Sequence, residues 1–151
     1  MGSTAAPLLG HARTVPLDEP SLRSRFPVDD VALSRLHGRA FGRPGGEVQP
    51  WASQLQRHSL TWVGAFDADA LLGFVNACWD GGVHAFLLDA VVDPDHQRRG
   101  IGRRLVLALV AEVRNSGCEW LHVDYEPHLG SFYRDACGFR ATEAGVIRLA
   151  P

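Results

Sequence analysis

Hydrophobic residues in the first third of the chain recur at helical spacing and predict two helices. The first begins after Pro27, where Asp29 or Asp30 can cap the exposed amides. The residues on its apolar stripe are Val31, Ala32, Leu36 and Ala40. Glycine and proline are dense over residues 41–50, which indicates a loop, and Pro50 suits the first position of a short second helix.

The middle of the chain changes to β-branched and alternating segments, which predict strands. Residues 60–66 and 71–79 form two strands joined by a turn. Asp80-Gly81-Gly82 then favours a tight hairpin into a third strand at 84–92. The end of this third strand is apolar on both faces, which is typical of a central strand.

Helical spacing returns over residues 102–115, and Gly117 suits a left-handed helix end. A strand at 120–126, a short helix at 128–137 and a last strand at 139–149 complete the pattern.

The length of 151 residues favours one domain, and a chain of this size buries about 70% of its unfolded surface. Residues 1–12 are predicted to be disordered, a first strand is expected at 13–17, and the domain spans 13–151. The order of elements, β-α-α-β-β-β-α-β-α-β, indicates an α/β fold in which helices flank a mixed sheet.

All 15 basic residues are arginine, because the sequence contains no lysine. This excludes a Walker A phosphate loop, a pyridoxal Schiff base and the catalytic lysine of a protein kinase. A net charge of −2 disfavours nucleic acid as a partner, and the longest apolar run, 105–111, is too short to cross a membrane. Three widely spaced cysteines, Cys78, Cys118 and Cys137, favour the reducing cytoplasm.

The segment between the third strand and the long helix has the features of an anion-binding site. Gly100 and Gly102 let the backbone approach a ligand closely, and amides at a helix start attract anions. The arginines around this turn are Arg98, Arg99, Arg103 and Arg104. Leu105 stands where a Rossmann fingerprint requires its third glycine. These features predict a pyrophosphate cradle, with a plain strand-to-helix turn and solvated arginines as the alternative.

Two segments resemble the signatures of the GCN5-related N-acetyltransferase (GNAT) family. Gln97-Arg98-Arg99-Gly100-Ile101-Gly102 matches the acetyl-coenzyme A motif Q/R-x-x-G-x-G/A. Phe132-Tyr133 followed by Cys137-Gly138-Phe139 resembles the second signature of the family. The resemblance implies a mixed, mostly antiparallel sheet of six to seven strands, flanked by about four helices.

The same resemblance implies a donor site for acetyl-coenzyme A. The pantetheine arm would bond to the backbone of residues 90–92, where the strand of the family bulges and splays from its neighbour. The amides of residues 98–103 would hold the pyrophosphate, and Tyr133 would lie near the thioester sulfur. The implied donor residues are Ala90, Val91, Val92, Gln97, Arg98, Arg99, Gly100, Ile101, Gly102 and Arg103.

Tyr133 and two carboxylates are the candidates for proton transfer. A phenol, with a pKa of about 10, is protonated at neutral pH and can donate to a leaving thiolate, although core packing is the alternative for Tyr133. An alkylamine, with a pKa of about 10.4, needs a base. Phe86 and Leu88 stand where many family members have a carboxylate, so Asp89 and Glu126 are the candidate bases, with structural roles as the alternative.

The sequence therefore predicts an N-acetyltransferase that moves an acetyl group from acetyl-coenzyme A to a primary amine, either a small molecule or a peptide. A non-catalytic acyl-coenzyme A sensor and an interaction scaffold are the alternatives. Neither nucleic acid nor a membrane is an expected partner, and a homodimer is left open. His122 and Asp124 share a strand face, but two ligands do not make a metal site, so no metal is expected.

Overall fold

The computed structural model describes residues 19–150, and within them five strands and four helices form the fold. The strands are β1 (Ser21–Ser24), β2 (Ser59–Asp67), β3 (Ala70–Trp79), β4 (His84–Val92) and β5 (Trp120–Val123). The helices are α1 (Asp30–Ala40), α2 (Trp51–His58), α3 (Ile101–Asn115) and α4 (Ser131–Ala136). Short 3₁₀ turns at Pro94–His96 and Pro127–Leu129 precede α3 and α4.

The strands lie side by side in the order in which they occur along the chain. Neighbours from β1 to β4 are antiparallel, whereas β5 runs parallel to β4. The prediction of a mixed and mostly antiparallel sheet is therefore confirmed. Pairing between β4 and β5 covers residues 84–87 and 120–123, and β4 then continues through 88–92 with no β5 residue beside it.

Helices cover both faces of the sheet, so the core has two parts. On one face α3 buries Ile101, Leu105 and Leu109 against β2, β3 and β4. On the other face α1 and α2 contribute Leu33 and Leu55. Full burial of each such side chain stabilises the fold by about 1.5–3 kcal/mol, and together these contacts hold the central strands in place.

The start of α1 is fixed by the two aspartates that the sequence offers as caps. The Asp29 carboxylate accepts from the amides of Val31 and Ala32 over 2.8 and 2.9 Å, which satisfies two donors that lack helical partners. Asp30 instead accepts from the amide of Ala52 over 2.8 Å, which joins α1 to α2. The pair of helices is thus oriented by polar contacts as well as by burial.

The prediction of six to seven strands is wrong, because the described residues form five. The last strand expected at 139–149 is not formed, and Val146, Ile147 and Leu149 there are 83%, 80% and 90% exposed. Alternating apolar residues favour a strand, but a strand also needs a backbone partner and a face to bury.

Other element boundaries also differ from the sequence pattern. The expected strand at 13–17 and the disordered segment at 1–12 lie outside the described residues, while β1 is a polar strand that alternation did not predict. The strand expected at 120–126 ends at Val123, and the helix expected at 128–137 is divided into a 3₁₀ turn and α4. None of the described helices is both long and apolar enough to span a bilayer.

Candidate active site

Strand β4 has an irregularity near its C-terminal end. Phe74 of β3 faces Val91, but Asn76, two residues further along β3, faces Leu88, so β4 contains one extra residue there. Asp89 adopts a left-handed backbone conformation at this point, with φ of 54°. The expected bulge is therefore present, and it re-aims the strand immediately before residues 90–92.

Beyond the bulge, the backbone of β4 is open on the side of β5. The last residue of β5, Val123, faces Leu87, so residues 90–92 have no β5 partner. Val91 packs on the side of α1 and α2, while Ala90 and Val92 pack on the side of α3. Unpaired backbone groups held between two packed faces can bond to another extended chain.

The loop between β4 and α3 has the backbone of an anion-binding turn. Arg98 and Gly100 both have positive φ, 59° and 80°, and Gly100 is the N-cap of α3. The amides of residues 101–103 have no intrahelical acceptor, since the first helical bond runs from Arg104 to the Gly100 carbonyl over 3.1 Å. Free amides at the positive end of a 15-residue helix favour a bound phosphate.

Side chains around this loop have two kinds of role. The Gln97 side-chain amide donates to the Val92 carbonyl over 3.2 Å, which fixes the turn to the end of β4. Arg103 Nε donates to a carbonyl of α4 over 2.8 Å, which joins α3 to α4. Arg98 and Arg99 are exposed and place positive charge beside the amides.

The two glycines of the loop differ in what they provide. Gly100 supplies the positive φ, and no atom lies within 4 Å of where its Cβ would be. A Cβ on Gly102 would lie 3.5 Å from the Phe132 ring and 3.6 Å from a methyl group of Val92. Alanine therefore fits at 102 in ordinary contact, and the α4 aromatic residues come close to the start of α3.

Tyr133 lies in α4 and follows Phe132, the residue that approaches Gly102. The side chain is 6% exposed, and its ring stacks on Tyr125 with 4.9 Å between centroids. Helix α4 has the wider π-helical turn, since the Cys137 amide donates to the Phe132 carbonyl over 3.0 Å, and such turns are frequent at functional sites. Burial, with a smaller contribution from Cys137, raises the pKa of Tyr133 to about 12, so the phenol keeps its proton at neutral pH.

A cleft of about 430 Å³ lies on the other side of the bulge, where α1 and the loop after it meet β4. Asp89 Oδ1 lies 3.1 Å from His37 Nε2, and Asp89 Oδ2 accepts from the Asn76 side-chain amide over 2.8 Å. The imidazole packs against Phe41 and Trp51, with 4.6 and 5.0 Å between ring centroids. The cleft thus combines a carboxylate, an imidazole and aromatic walls.

Comparison with known proteins shows the family to which this chain belongs. Residues 31–139 match the family model described as the Acetyltransferase (GNAT) family. The chain belongs to the GNAT family. The resemblance seen in the two motifs is thereby confirmed, and the α/β fold with its mixed sheet is the GNAT fold.

One of the curated relatives supports the same family. Serotonin N-acetyltransferase 2, chloroplastic, of Oryza sativa subsp. japonica is 30% identical over 115 residues, which cover 74% of this chain and 57% of the rice protein. The GNAT chain thus spans little more than half the length of that relative.

Solved structures share the fold at lower identity. An acetyltransferase from Trypanosoma brucei has a TM-score of 0.73 and 23% identity, covering 88% of this chain and 100% of that one. The aminoglycoside N-acetyltransferase AAC(6')-Iy, solved with CoA, has a TM-score of 0.65 and 20% identity, covering 90% of this chain and 98% of that one.

In this GNAT chain, the residues selected from the sequence for proton transfer lie in different surroundings. Asp89 lines the cleft beside the bulge, and Tyr133 is buried in α4 next to Phe132, whose ring lies beside Gly102. Glu126 is exposed and precedes the 3₁₀ turn after β5, because β5 ends three residues earlier than expected. His37 was not predicted as a site residue from the sequence. Its partner Asp89 lies 52 residues away in the chain, so no local spacing indicates the pair.

The sequence offered His122 and Asp124 as two possible metal ligands, and in this GNAT domain His122 lies on β5 while Asp124 follows the strand. His122 Nε2 lies 2.8 Å from His84 Nδ1, and the two rings stack. Across residues 19–150, no three His, Cys, Asp or Glu side chains come together as a candidate metal site.

Proposed function

We propose that this GNAT chain transfers an acetyl group from acetyl-coenzyme A to a primary amine by direct attack. The observation that carries the proposal is the stretch of β4 at residues 90–92, which pairs with β3 but has no β5 partner and leads into the free amides at the start of α3. A pantetheine arm is extended and contains amides, so it can bond to open strand backbone as an added strand does. The pyrophosphate at its other end would then meet the helix start.

Binding of the donor in this proposal depends more on the backbone than on side-chain charge. Amides of residues 98–103 would donate to pyrophosphate oxygens, while Arg98 and Arg99 add charge that salt can screen. Open space at Gly100 leaves room for the phosphates. The proposed donor residues are Ala90, Val91, Val92, Gln97, Arg98, Arg99, Gly100, Ile101, Gly102 and Arg103.

Tyr133 is the proposed general acid. Attack of the amine on the thioester carbonyl carbon forms a C–N bond and breaks the C–S bond, so the sulfur leaves with the electron pair and needs a proton. A phenol whose pKa is raised to about 12 is protonated at neutral pH and can donate its proton to the sulfur as the C–S bond breaks. The phenolate left behind is a stronger base than the thiolate, so it takes a proton back from the nitrogen of the new amide. The position of α4 against the start of α3 supports this role, since Phe132 next to Tyr133 lies beside Gly102.

The acceptor is proposed to enter through the cleft beside the bulge. Phe41 and Trp51 give it apolar walls, while Asp89, Glu47 and Arg43 give it charged groups of both signs. A small amine or the amine of a peptide is compatible with such a lining. Relatives named for serotonin and for aminoglycosides support a small cationic amine. Of the two carboxylates predicted as bases, Asp89 borders this cleft and the exposed Glu126 does not, so Asp89 is the carboxylate proposed to take part in the acceptor step.

Coenzyme A binding and acceptor-dependent thiol release test the proposal together. Calorimetry measures binding of coenzyme A, and a thiol assay with mass spectrometry measures acetylation of serotonin, spermidine, an aminoglycoside and a lysine-containing peptide. We expect binding, and thiol release that depends on at least one amine. Binding without release on any amine would favour a non-catalytic acyl-coenzyme A sensor, and absence of binding would contradict the donor site.

We propose the cytoplasm as the compartment and one domain spanning 13–151 as the unit that acts. The free thiols of Cys78, Cys118 and Cys137 support a reducing environment. Size-exclusion chromatography with light scattering distinguishes a monomer from a homodimer.

A further inference from the structure

We propose that His37 is the general base for the acceptor amine and that Asp89 is the residue that positions it. This inference rests on the proposed acetyl transfer and deepens it. The juxtaposition that supports it joins two elements: the imidazole comes from α1, and the carboxylate comes from the bulge of β4. Asp89 thereby becomes a positioning residue, and the proton acceptor is the histidine.

The backbone at Asp89 is arranged to present its carboxylate. A non-glycine residue with φ of 54° costs about 1 kcal/mol relative to extended backbone, although aspartate tolerates it better than most residues. Two hydrogen bonds offset this cost, one from Asn76 over 2.8 Å and one from His37 over 3.1 Å. Asn76 is itself buried, and its side-chain oxygen accepts from the Ser59 hydroxyl over 3.1 Å. This bond fixes the side-chain amide that donates to the Asp89 carboxylate.

The contact with Asp89 determines which nitrogen of His37 is basic. A carboxylate only accepts hydrogen bonds, so His37 Nε2 carries the proton that points to Asp89 Oδ1. In the neutral ring, the lone pair is then on Nδ1. Phe41 and Trp51 pack against the ring and limit its rotation, while about a quarter of the side chain, 28%, stays exposed in the cleft.

The pair lies between the proposed donor path and the acceptor cleft. Asp89 immediately precedes residues 90–92, which have no β5 partner, and both His37 and Asp89 line the cleft. The charged groups that share this lining are Asp89 from β4 and Arg43 and Glu47 from the loop after α1, while α2 contributes the uncharged Trp51. An amine entering the cleft therefore meets an imidazole at the strand that would hold the thioester.

The proposed steps balance in protons and electrons. His37 Nδ1 takes one proton from the ammonium group, and the freed lone pair forms the C–N bond with the thioester carbon. The C–S bond breaks, its electron pair leaves with sulfur, and the Tyr133 hydroxyl protonates that sulfur. The second proton leaves the nitrogen and returns through water to Tyr133, and His37 releases its proton to solvent. The net products are the amide, the free thiol and one proton.

The reason for a base is the scarcity of neutral amine. An alkylamine with a pKa of about 10.4 is neutral in roughly one molecule in a thousand at neutral pH. A positioned base contributes typically on the order of 10²–10⁴-fold in rate. Histidine is the side chain that most often serves as a general base in enzymes.

The test compares pH–rate profiles of His37→Gln, His37→Phe, Asp89→Asn and wild type, with the panel amine that wild type acetylates fastest. We expect His37→Gln to lower kcat at neutral pH by about 100-fold or more, with the KM for the amine and coenzyme A affinity within about twofold. Its log kcat should keep rising with pH where wild type is level, because the variant depends on amine that is already neutral. His37→Phe keeps a ring against Phe41 and Trp51 and should show the same profile.

Asp89→Asn tests the positioning role, because asparagine also tolerates positive φ. We expect a smaller loss of kcat than at His37, with a shifted pH profile and a nearly unchanged KM. Added imidazole should partly restore kcat in His37→Ala. The matched control is His58→Gln, an exposed histidine at the end of α2, which should keep the wild-type profile.

The outcomes separate this inference from the proposed function. If wild type acetylates none of the amines, the proposed function fails and the inference fails with it. If wild type is active but the folded His37 variants retain the wild-type pH dependence, or lose the same factor at every pH, only the assignment of His37 as base is overturned.

Discussion

Tyr133 and Asp89 differ in burial and in hydrogen bonding, and these differences suit them to different roles. The Tyr133 phenol lies among Tyr125, Phe132 and Phe139, and burial raises its pKa to about 12. Such a phenol is protonated at neutral pH and has one proton to donate. The Asp89 carboxylate has two polar partners, so it orients a neighbour and accepts bonds from both. In the proposed reaction, these surroundings would make Tyr133 the proton donor and Asp89 the residue that orients the base.

Replacing Tyr133 with phenylalanine should separate chemistry from packing. We expect kcat to fall by about 100-fold or more, because the leaving sulfur loses its proton donor, while coenzyme A affinity stays within about twofold. Steady-state kinetics and calorimetry measure the two effects. Tyr125→Phe removes the neighbouring phenol and is the matched control, with little change expected. An equal loss of kcat and donor affinity in Tyr133→Phe would indicate a structural role.

At the scale of elements, β4, the loop after it and α3 form one continuous unit. The bulge at Asp89 shifts the register of β4 against β3, Gln97 joins the loop to Val92, and Gly100 begins the helix. Burial of Ile101 at the first position of α3 anchors that helix start on the sheet. The open strand and the free amides are therefore held at a fixed separation, which a ligand with an extended arm and a charged end can bridge.

Gly100→Ala tests this unit, with Gly117→Ala as its control. Both glycines have positive φ, 80° and 89°, with nothing within 4 Å of a Cβ, so each alanine should cost about 1 kcal/mol of stability. Gly117 follows the far end of α3. We therefore expect Gly100→Ala alone to weaken coenzyme A binding, by about tenfold or more. Equal affinities of the two variants in calorimetry would contradict the proposed cradle.

At the scale of the whole molecule, the sheet separates two sites with different surroundings. Tyr133 and α4 belong to the core on the side of α3, whereas His37, Trp51 and the cleft lie on the side of α1 and α2. The bulge of β4 is the place where both sides meet. In the proposed reaction, donor and acceptor would therefore approach from opposite faces of the sheet and meet at β4.

The pH dependence of stability should follow the buried acids of the molecule. Burial raises the pKa of Tyr133 from its ordinary 10.0 to about 12, and it also raises the pKa of the Cys78 and Cys137 thiols. Groups with raised pKa values favour the folded state fully below their unfolded pKa and lose that contribution as pH rises. We expect the free energy of unfolding to fall above about pH 9, first through the thiols and then through the phenol.

Urea denaturation between pH 7 and 11 measures this fall. Tyr133→Phe should have a shallower decline above about pH 10, because it cannot ionise there. Identical slopes for wild type and variant in that interval would show that the phenol has the same acidity in the folded and unfolded chain.

The sequence by itself determined the features that depend on neighbouring residues. Helical spacing, the Asp29 cap and the glycines of the loop after β4 act within a few residues, so α1, α3 and the predicted anion-binding turn follow from local pattern. The central strands β2 to β4 were likewise predicted, because their apolar residues and turns are local signals.

Only the tertiary structure determined which segments pair as strands and which side chains come into contact. The pattern at 139–149 favours a strand, but no backbone among residues 19–150 pairs with it, whereas the polar segment at Ser21–Ser24 pairs with β2. The contact of His37 with Asp89 joins residues 52 positions apart and depends on how α1 packs against the bulge. Such contacts follow from the packing of whole elements, and spacing along the chain carries no information about them.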